Sequence, residues 1–128
     1  MNLLLDTHLL VWSTSASHRL SPVARALIDN PDNQLFFSAA SLWELAIKQS
    51  LGKKGFNVDA RLLRHELLNI GYTELPVTSN QAVAIDSLPV IHRDPFDRIL
   101  IIQATLEGIT LLTVDRIVAR YPGPIRKV

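Results

Sequence analysis

Short apolar runs recur along the chain, and the polar residues between them mark where one element ends and the next begins. The run LLL at residues 3–5 is continuous rather than alternating, and it stops at Asp6. A short continuous apolar run is typical of a strand that is buried on both faces of a parallel sheet. The predicted strands are residues 2–5, 34–38, 72–76, 109–114 and 124–128.

The stretches between these strands have helical character, and Ser, Asp, Pro and Gly mark their boundaries. Ser21 and Pro22 fit an N-cap followed by the first helical residue, and Asp59 fits a second N-cap. Gly52 and Gly71 fit helix ends. The predicted helices are residues 9–12, 22–29, 39–51, 60–70, 79–88 and 95–108, with one further turn within residues 116–121 and a polar connection at residues 53–55.

The alternation of strands with helices predicts an α/β fold, a three-layer α/β/α sandwich on a mainly parallel central sheet. Crossover connections in such a sheet are right-handed. Ligands bind outside the carboxyl ends of the strands, where the strand order reverses. Because no repeat, low-complexity segment or linker interrupts the pattern, residues 1–128 are predicted to form a single domain.

Composition narrows the classes of function. The chain contains no cysteine, which excludes a disulfide framework, a thiolate nucleophile and a cysteine-based zinc site. Its first residues have neither the basic lead of a signal peptide nor the length of a membrane span, so we expect a cytoplasmic protein. The net charge of +1 gives no argument for a nucleic-acid partner. Local basic positions remain, and they are Lys48, Lys53, Lys54, Arg61 and Arg64.

The stretch HRDPFDRILIIQA, residues 92–104, predicts a helix that is acidic in its first turn and apolar afterwards. Pro95 fits the first helical position, where its fixed φ helps and its missing N–H costs nothing. Asp94 is then the N-cap, and Asp97 stands three residues on, as in a capping box with Asp in place of Glu. The two acids could serve only as caps, or they could belong to a site formed with other acids.

Three further acids occupy positions where a ligand site would form. Asp6 ends the first predicted strand and Asp115 ends the fourth, although an Asp at a strand end also serves as a turn residue or helix cap. Glu44 lies in an apolar helical stripe, where an uncompensated anion is costly. Two structural interpretations remain open for Glu44, namely a capping box starting at Ser41 and an ion pair with Lys48 four residues on.

Together, these acids form a candidate metal site. Carboxylates gathered at one sheet edge repel one another, and some take up protons unless a cation lies among them. Oxygen-only ligands suit a hard divalent cation, Mg²⁺ or Mn²⁺. Such a site can activate a water and polarise a phosphoryl oxygen, which favours metal-assisted hydrolysis of a phosphodiester. The candidate catalytic and metal-binding residues are Asp6, Glu44, Asp97 and Asp115.

Other polar and aromatic residues are given structural interpretations. His8 fits a local hydrogen-bonding role, and the remaining histidines, His18, His65 and His92, are scattered without zinc-ligand spacing. Three arginines near the acids could hold a phosphate, steady a carboxylate or simply lie in solvent; they are Arg93, Arg98 and Arg116. The two tryptophans, Trp12 and Trp43, fit a core or a dimer interface better than a base-stacking role.

Four stretches in this order, LLLDTHLLVW, SAASLWELAIK, HRDPFDRILIIQA and LLTVD, resemble the PIN-domain family, and specifically the VapC-type toxin ribonucleases of bacterial toxin–antitoxin pairs. The resemblance implies an α/β/α fold and a Mg²⁺- or Mn²⁺-dependent endoribonuclease that acts on RNA. It also implies a homodimer that a cognate antitoxin protein neutralises.

The resemblance also assigns residues by position. It places the four family acids at Asp6, Glu44, Asp97 and Asp115, the same residues that the chemistry of the acids indicates. It makes Thr113 a supporting hydroxyl and gives Asp94 a cap or outer supporting role. The family often carries an aromatic residue shortly after the last acid, and Tyr121 is the nearby candidate here.

Other functions fit the sequence less well. A phosphoacceptor signalling domain needs an aspartate at the end of its middle strand, and the predicted third strand, YTELP, has none. A phosphatase of the haloacid dehalogenase type would place a second aspartate two residues after Asp6, where His8 stands. A PIN-like protein that only binds remains an alternative, although all four acids are present.

Overall fold

The computed structural model describes residues 1–52 and 57–128 and contains a five-stranded, all-parallel sheet. The strands are β1 (Asn2–Leu5), β2 (Gln34–Ser38), β3 (Thr73–Leu75), β4 (Thr110–Thr113) and β5 (Ile125–Lys127). Their order in the sheet is β3-β2-β1-β4-β5. All five predicted strands are therefore confirmed, with slightly shorter bounds for the last three. The polar connection predicted at residues 53–55 lies outside the described residues.

Helices connect the strands as the pattern predicts. They are α1 (Thr7–Ser15), α2 (Pro22–Asp29), α3 (Ala39–Ser50), α4 (Ala60–Asn69), α5 (Ser79–Val83) and α6 (Pro95–Glu107), with 3₁₀ turns at Ser17–Arg19, Ala84–Ser87 and Val118–Arg120. The helix predicted at residues 79–88 is divided into α5 and a 3₁₀ turn, and α1 is longer than its apolar pattern indicates. No helix in the described ranges is both long and apolar enough to cross a bilayer.

The core lies in two layers, one on each face of the sheet. Successive residues of a strand point to opposite faces, so Leu3 and Leu5 of β1 pack with α1, α2, α3 and α4, whereas Leu4 packs with α6. All three leucines are fully buried. This distribution confirms the three-layer α/β/α sandwich and explains why β1 shows a continuous apolar run.

The strand order reverses between β1 and β4, because β2 and β3 lie on one side of β1 and β4 and β5 lie on the other. Leu5 pairs with Leu112 across this boundary, and the Asp6 N–H donates to the Leu112 carbonyl at 3.0 Å. The first residues beyond β1 and β4 therefore emerge side by side. This is the position at which parallel sheets bind ligands.

Polar side chains of α6 tie this helix to the segment that precedes it. The fully buried Gln103 donates through Nε2 to the Pro76 carbonyl at 3.2 Å and to Gln81 Oε1 at 3.1 Å. The Arg98 guanidinium donates to the carbonyl of Ile85 at 3.2 Å. Arg98 therefore orders the 3₁₀ segment in this structure, and it shows no contact with a carboxylate among the described residues.

Candidate metal centre

Asp94 caps α6 as predicted. Its Oδ1 accepts hydrogen bonds from the N–H groups of Phe96 at 2.8 Å and Asp97 at 3.2 Å, and Pro95 occupies the first turn. Gly108 ends the helix in the left-handed conformation, with φ of 68°. The cap brings the Asp94 carboxylate beside that of Asp97, and both are half-buried. Capping and membership of an acidic site are therefore compatible roles for Asp94.

His92 lies against two of the acids. Its Nε2 is 3.1 Å from Asp97 Oδ2 and 3.8 Å from Asp115 Oδ2, and its Nδ1 accepts from the Asp94 N–H at 3.3 Å. Nε2 is therefore the ring nitrogen that can donate a hydrogen bond toward the two carboxylates. Sequence reasoning placed His92 among the scattered histidines, and that interpretation is wrong. In the sequence, the one indication of a role for His92 was its position two residues before Asp94, the N-cap of α6.

Tyr121 holds the backbone of His92. Its hydroxyl lies 2.6 Å from the His92 nitrogen, from which it accepts, and 3.0 Å from the His92 carbonyl oxygen, to which it donates. The Tyr121 side chain is buried, with 4% of the residue exposed. The aromatic residue after the last acid therefore orders the loop before α6.

Asp6 ends β1 and caps α1 at the same time. Its Oδ1 accepts from the Leu9 N–H at 2.9 Å, and its Oδ2 accepts from the Val114 N–H at 3.0 Å. The second contact joins residues 108 positions apart and ties the end of β1 to the end of β4. Burial raises the pKa of the Asp6 carboxyl, and the Leu9 N–H, the Thr113 hydroxyl and the Val114 N–H oppose that rise.

Thr113 links Asp6 to Asp115. Its hydroxyl oxygen accepts from the Asp115 N–H at 3.0 Å, and its hydrogen bond to Asp6 favours the charged carboxylate. Thr113 is fully buried. Asp115 in turn accepts the N–H of Ile117 through Oδ1 at 2.7 Å, which leaves its Oδ2 on the side of His92.

Glu44 is buried, with 8% of the residue exposed, and both of its oxygens have partners. Oε1 accepts from the Thr7 hydroxyl at 2.8 Å, and Oε2 pairs with Lys48 Nζ at 2.9 Å. The ion pair with Lys48 is therefore confirmed. The capping box starting at Ser41 is wrong, because α3 begins three residues earlier, with Ser38 as its N-cap. Thr7 and Lys48 are the compensation that an anion in an apolar stripe requires.

Electrostatic coupling unites the acids around Asp97. Burial, then the charges of Asp94 and Glu44, raise the pKa of the Asp97 carboxyl to about 7, and Asp115 adds to that rise. His92 acts in the opposite direction. Burial and the neighbouring carboxylates therefore both disfavour a negative charge on Asp97 in the absence of a cation.

The donor set fits a divalent cation. His92, Asp94 and Asp97 each offer one ligand atom, and these atoms all lie within 4.8 Å of one another. Carboxylate oxygens are the ligands that Mg²⁺ and Mn²⁺ prefer. A cation here would relieve the repulsion that raises the pKa of Asp97.

A family model of the PIN domain matches residues 3–124, almost the full length of the chain. The chain belongs to the PIN-domain family. The match spans all four stretches on which the resemblance was based. No protein with curated annotation is significantly similar to this PIN domain in a sequence search.

Two solved structures share the fold of this PIN domain. The crystal structure of VapBC2 from Rickettsia felis, bound to a DNA fragment from their promoter, matches with a TM-score of 0.70 and 18% identity over 99% of this chain and 98% of that chain. The 2.2 Å structure of VapBC-1 from nontypeable Haemophilus influenzae matches with a TM-score of 0.62 and 16% identity over the same shares. At these identities the likeness shows a common fold.

The predicted site residues of this PIN domain fall into two connected groups. Asp97, Asp94, Glu44 and Asp115 interact electrostatically, whereas Asp6 joins them through Thr113. Arg93, Arg116 and His8 are exposed, and of these His8 acts on Asp6, whose pKa it lowers. Trp43 is 64% exposed, which excludes a core role for it in the single chain.

Proposed function

We propose that this PIN domain is a divalent-metal-dependent endoribonuclease and the toxin of a toxin–antitoxin pair. The convergence of Asp94, Glu44 and Asp115 on Asp97, with an Asp97 pKa of about 7, is the observation that supports it most directly. Membership of the PIN family supports a nuclease, and the presence of VapB–VapC complexes among the similar folds supports an antitoxin partner.

We assign Asp6, Glu44, Asp97 and Asp115 as the catalytic and metal-binding residues, with Mg²⁺ or Mn²⁺ as the cofactor. A divalent cation at this centre would lower the pKa of a bound water and polarise a phosphoryl oxygen. The proposal gives Asp94 and Thr113 supporting roles, because each orders a neighbouring acid.

The chain itself prepares the site for substrate. The Thr7 hydroxyl and the Lys48 ammonium hold the Glu44 carboxylate in one orientation. His92 places its Nε2 against Asp97 and, at longer range, against Asp115, so it restrains both carboxylates. Such restraint lowers the reorganisation needed when a phosphodiester enters.

Cleavage of labelled single-stranded RNA by the purified protein tests the function. We expect cleavage with Mg²⁺ or Mn²⁺, none in excess EDTA, and recovery when metal is restored. Asp86→Asn removes one negative charge from an exposed position outside the candidate metal centre, so this control variant should cleave like the unchanged protein. Cleavage that persists in EDTA would contradict the metal assignment, and binding of RNA without cleavage under any metal would favour the alternative, a PIN-like protein that only binds.

We also propose a homodimer formed through an apolar surface, here called the Trp43 face. It is lined by Trp43, Val77, Ile85 and Phe96 among others, around a cavity of about 300 Å³. The rings of Trp43 and Phe96 form an edge-to-face pair with centroids 5.2 Å apart. Trp43 is 64% exposed and Phe96 is half-buried, and an exposed aromatic ring within an apolar patch is typical of a protein interface. A cytoplasmic location remains a prediction.

Trp43→Glu should weaken that dimer. Loss of a central aromatic residue typically costs about 2 kcal/mol or more, so the dissociation constant should rise roughly 30-fold or more. Sedimentation equilibrium measures it, and Val23→Glu, at a 48% exposed position on α2, is the matched control. A dimer that tolerates Trp43→Glu but not Val23→Glu would exclude the Trp43 face.

A further inference from the structure

A cavity of about 260 Å³ opens beside the acids, between α1, α3 and the residues just before α4. We call it the α1 cavity; Thr7, His8, Trp12, Arg19, Lys48 and Asn57 are among its lining residues. Thr7 and Lys48 are also the two residues that hydrogen-bond Glu44. The α1 cavity therefore begins one side chain away from the candidate metal centre.

The Trp12 ring already contacts two flat groups in this cavity. The Arg19 guanidinium carbon lies 4.8 Å from the centre of the Trp12 ring, and the His8 ring lies 5.7 Å from it at an angle of 47°. His8 and Arg19 are exposed, so moving them from the indole leaves no buried polar group without a partner. A nucleobase is a planar ring of the kind that aromatic side chains and Arg accept.

The charges of the lining favour a nucleic acid. Arg19 places an exposed cation at the cavity, as a phosphate backbone requires, whereas the charge of Lys48 is paired with Glu44. Asn57 adds an exposed amide that can donate and accept hydrogen bonds at a base edge. The volume lies just below the range of roughly 300–1,000 Å³ that is usual for small-molecule sites, so it suits one base rather than a folded element.

We propose that the α1 cavity binds one base of the RNA strand next to the cleaved bond, with Trp12 as the stacking platform and Arg19 as a contact for the adjoining phosphate. This inference rests on the proposed ribonuclease function. It also revises the expectation from the sequence that Trp12 is only a core or interface residue, because Trp12 is half-buried and lines this cavity.

Tryptophan fluorescence tests the binding without cleavage. In a Trp43→Phe variant, Trp12 is the single tryptophan, since the chain has two. A 12-nucleotide single-stranded RNA added in excess EDTA should quench its emission, and an abasic 12-mer with the same number of phosphates should not. Equal quenching by both strands, or none by either, would overturn the proposal and leave the cavity to a protein partner.

Kinetics separate this inference from the function on which it rests. Base stacking is worth roughly 5- to 150-fold in affinity, so Trp12→Leu should raise KM for RNA by about that factor with kcat little changed, and Trp12→Phe should largely restore KM. Cleavage with an unchanged KM in Trp12→Leu would refute the base site while the nuclease stands. Base-dependent quenching in a protein that cleaves no RNA would refute the nuclease and support the base site.

Discussion

Asp97→Asn should reduce metal-dependent RNA cleavage by about 100- to 1,000-fold or more and should also make the metal-free protein more stable at pH 8. Cleavage falls because the variant loses an anionic group at the centre of the acids. Stability rises because a neutral amide avoids the cost of burying a charge and the repulsion by Asp94 and Glu44, which together lift the pKa of Asp97 to about 7. A site residue that is merely structural would not combine these two effects.

The sign of the stability effect follows from proton binding. Between the ordinary carboxyl pKa of 3.8 and the folded value of about 7, the folded protein holds a proton that the unfolded chain releases. The free energy of unfolding therefore falls as pH rises through this window and stays low above it. The full penalty is about 2–4 kcal/mol, so Asp97→Asn should raise the metal-free Tm at pH 8 by roughly 5 °C or more.

Cleavage activity, the effect of metal on Tm, and growth of the expressing cells check this prediction. Asp86→Asn is the control for loss of one exposed charge. Mg²⁺ or Mn²⁺ should raise the Tm of the unchanged protein and of the control but not of Asp97→Asn, because binding to the folded state alone stabilises it. Expression of the unchanged chain without an antitoxin should arrest growth, and Asp97→Asn should relieve the arrest. Full activity in a folded Asp97→Asn protein would remove Asp97 from the mechanism.

Asp6→Asn should also abolish cleavage, but it should lower stability. Both Asp6 oxygens accept backbone N–H groups, from Leu9 and from Val114. An asparagine can offer only one acceptor, so its NH₂ group must face an N–H donor in a buried position. Leaving a buried donor unsatisfied costs about 1–3 kcal/mol, which corresponds to a fall in Tm of roughly 3–10 °C.

The diagnostic result is a Tm that falls in Asp6→Asn and rises in Asp97→Asn, although both variants replace an aspartate by asparagine. Differential scanning calorimetry at pH 8 in EDTA compares Asp6→Asn with Asp97→Asn directly. Asp32→Asn, at an exposed turn position, controls for the change of residue type. A stabilised Asp6→Asn protein would mean that the cost of burying the Asp6 charge outweighs the two backbone hydrogen bonds, and lost activity in that variant could then be interpreted without the effect of misfolding.

Sequence reasoning succeeded where the relevant interactions are local or follow from periodicity. The continuous run of β1 identified a central strand, Asp94 and Pro95 identified the start of α6, and the spacing of Glu44 and Lys48 identified an ion pair. Each of these depends on residues within a few positions of one another. The sheet-edge rule then brought distant acids to one place without any knowledge of contacts.

Sequence reasoning failed where a role depends on a long-range contact. His92 shows no ligand spacing, and its role arises because α6 places Asp97 beside it while Tyr121, 29 positions away, fixes its backbone. The exposure of Trp43 was equally hidden, because a tryptophan in an apolar helical stretch gives the same pattern whether it faces the core or an interface.

The Tyr121 hydroxyl holds the backbone of His92, so the order of the candidate metal centre depends on a residue that follows the last acid. A shortened gene product that stopped at residue 120 would retain every acid and lose the group that holds the His92 peptide. It would also lose β5, whose partner β4 leads directly to Asp115. Any change that removes residues 121–128 should therefore disturb the candidate metal centre as well as the sheet.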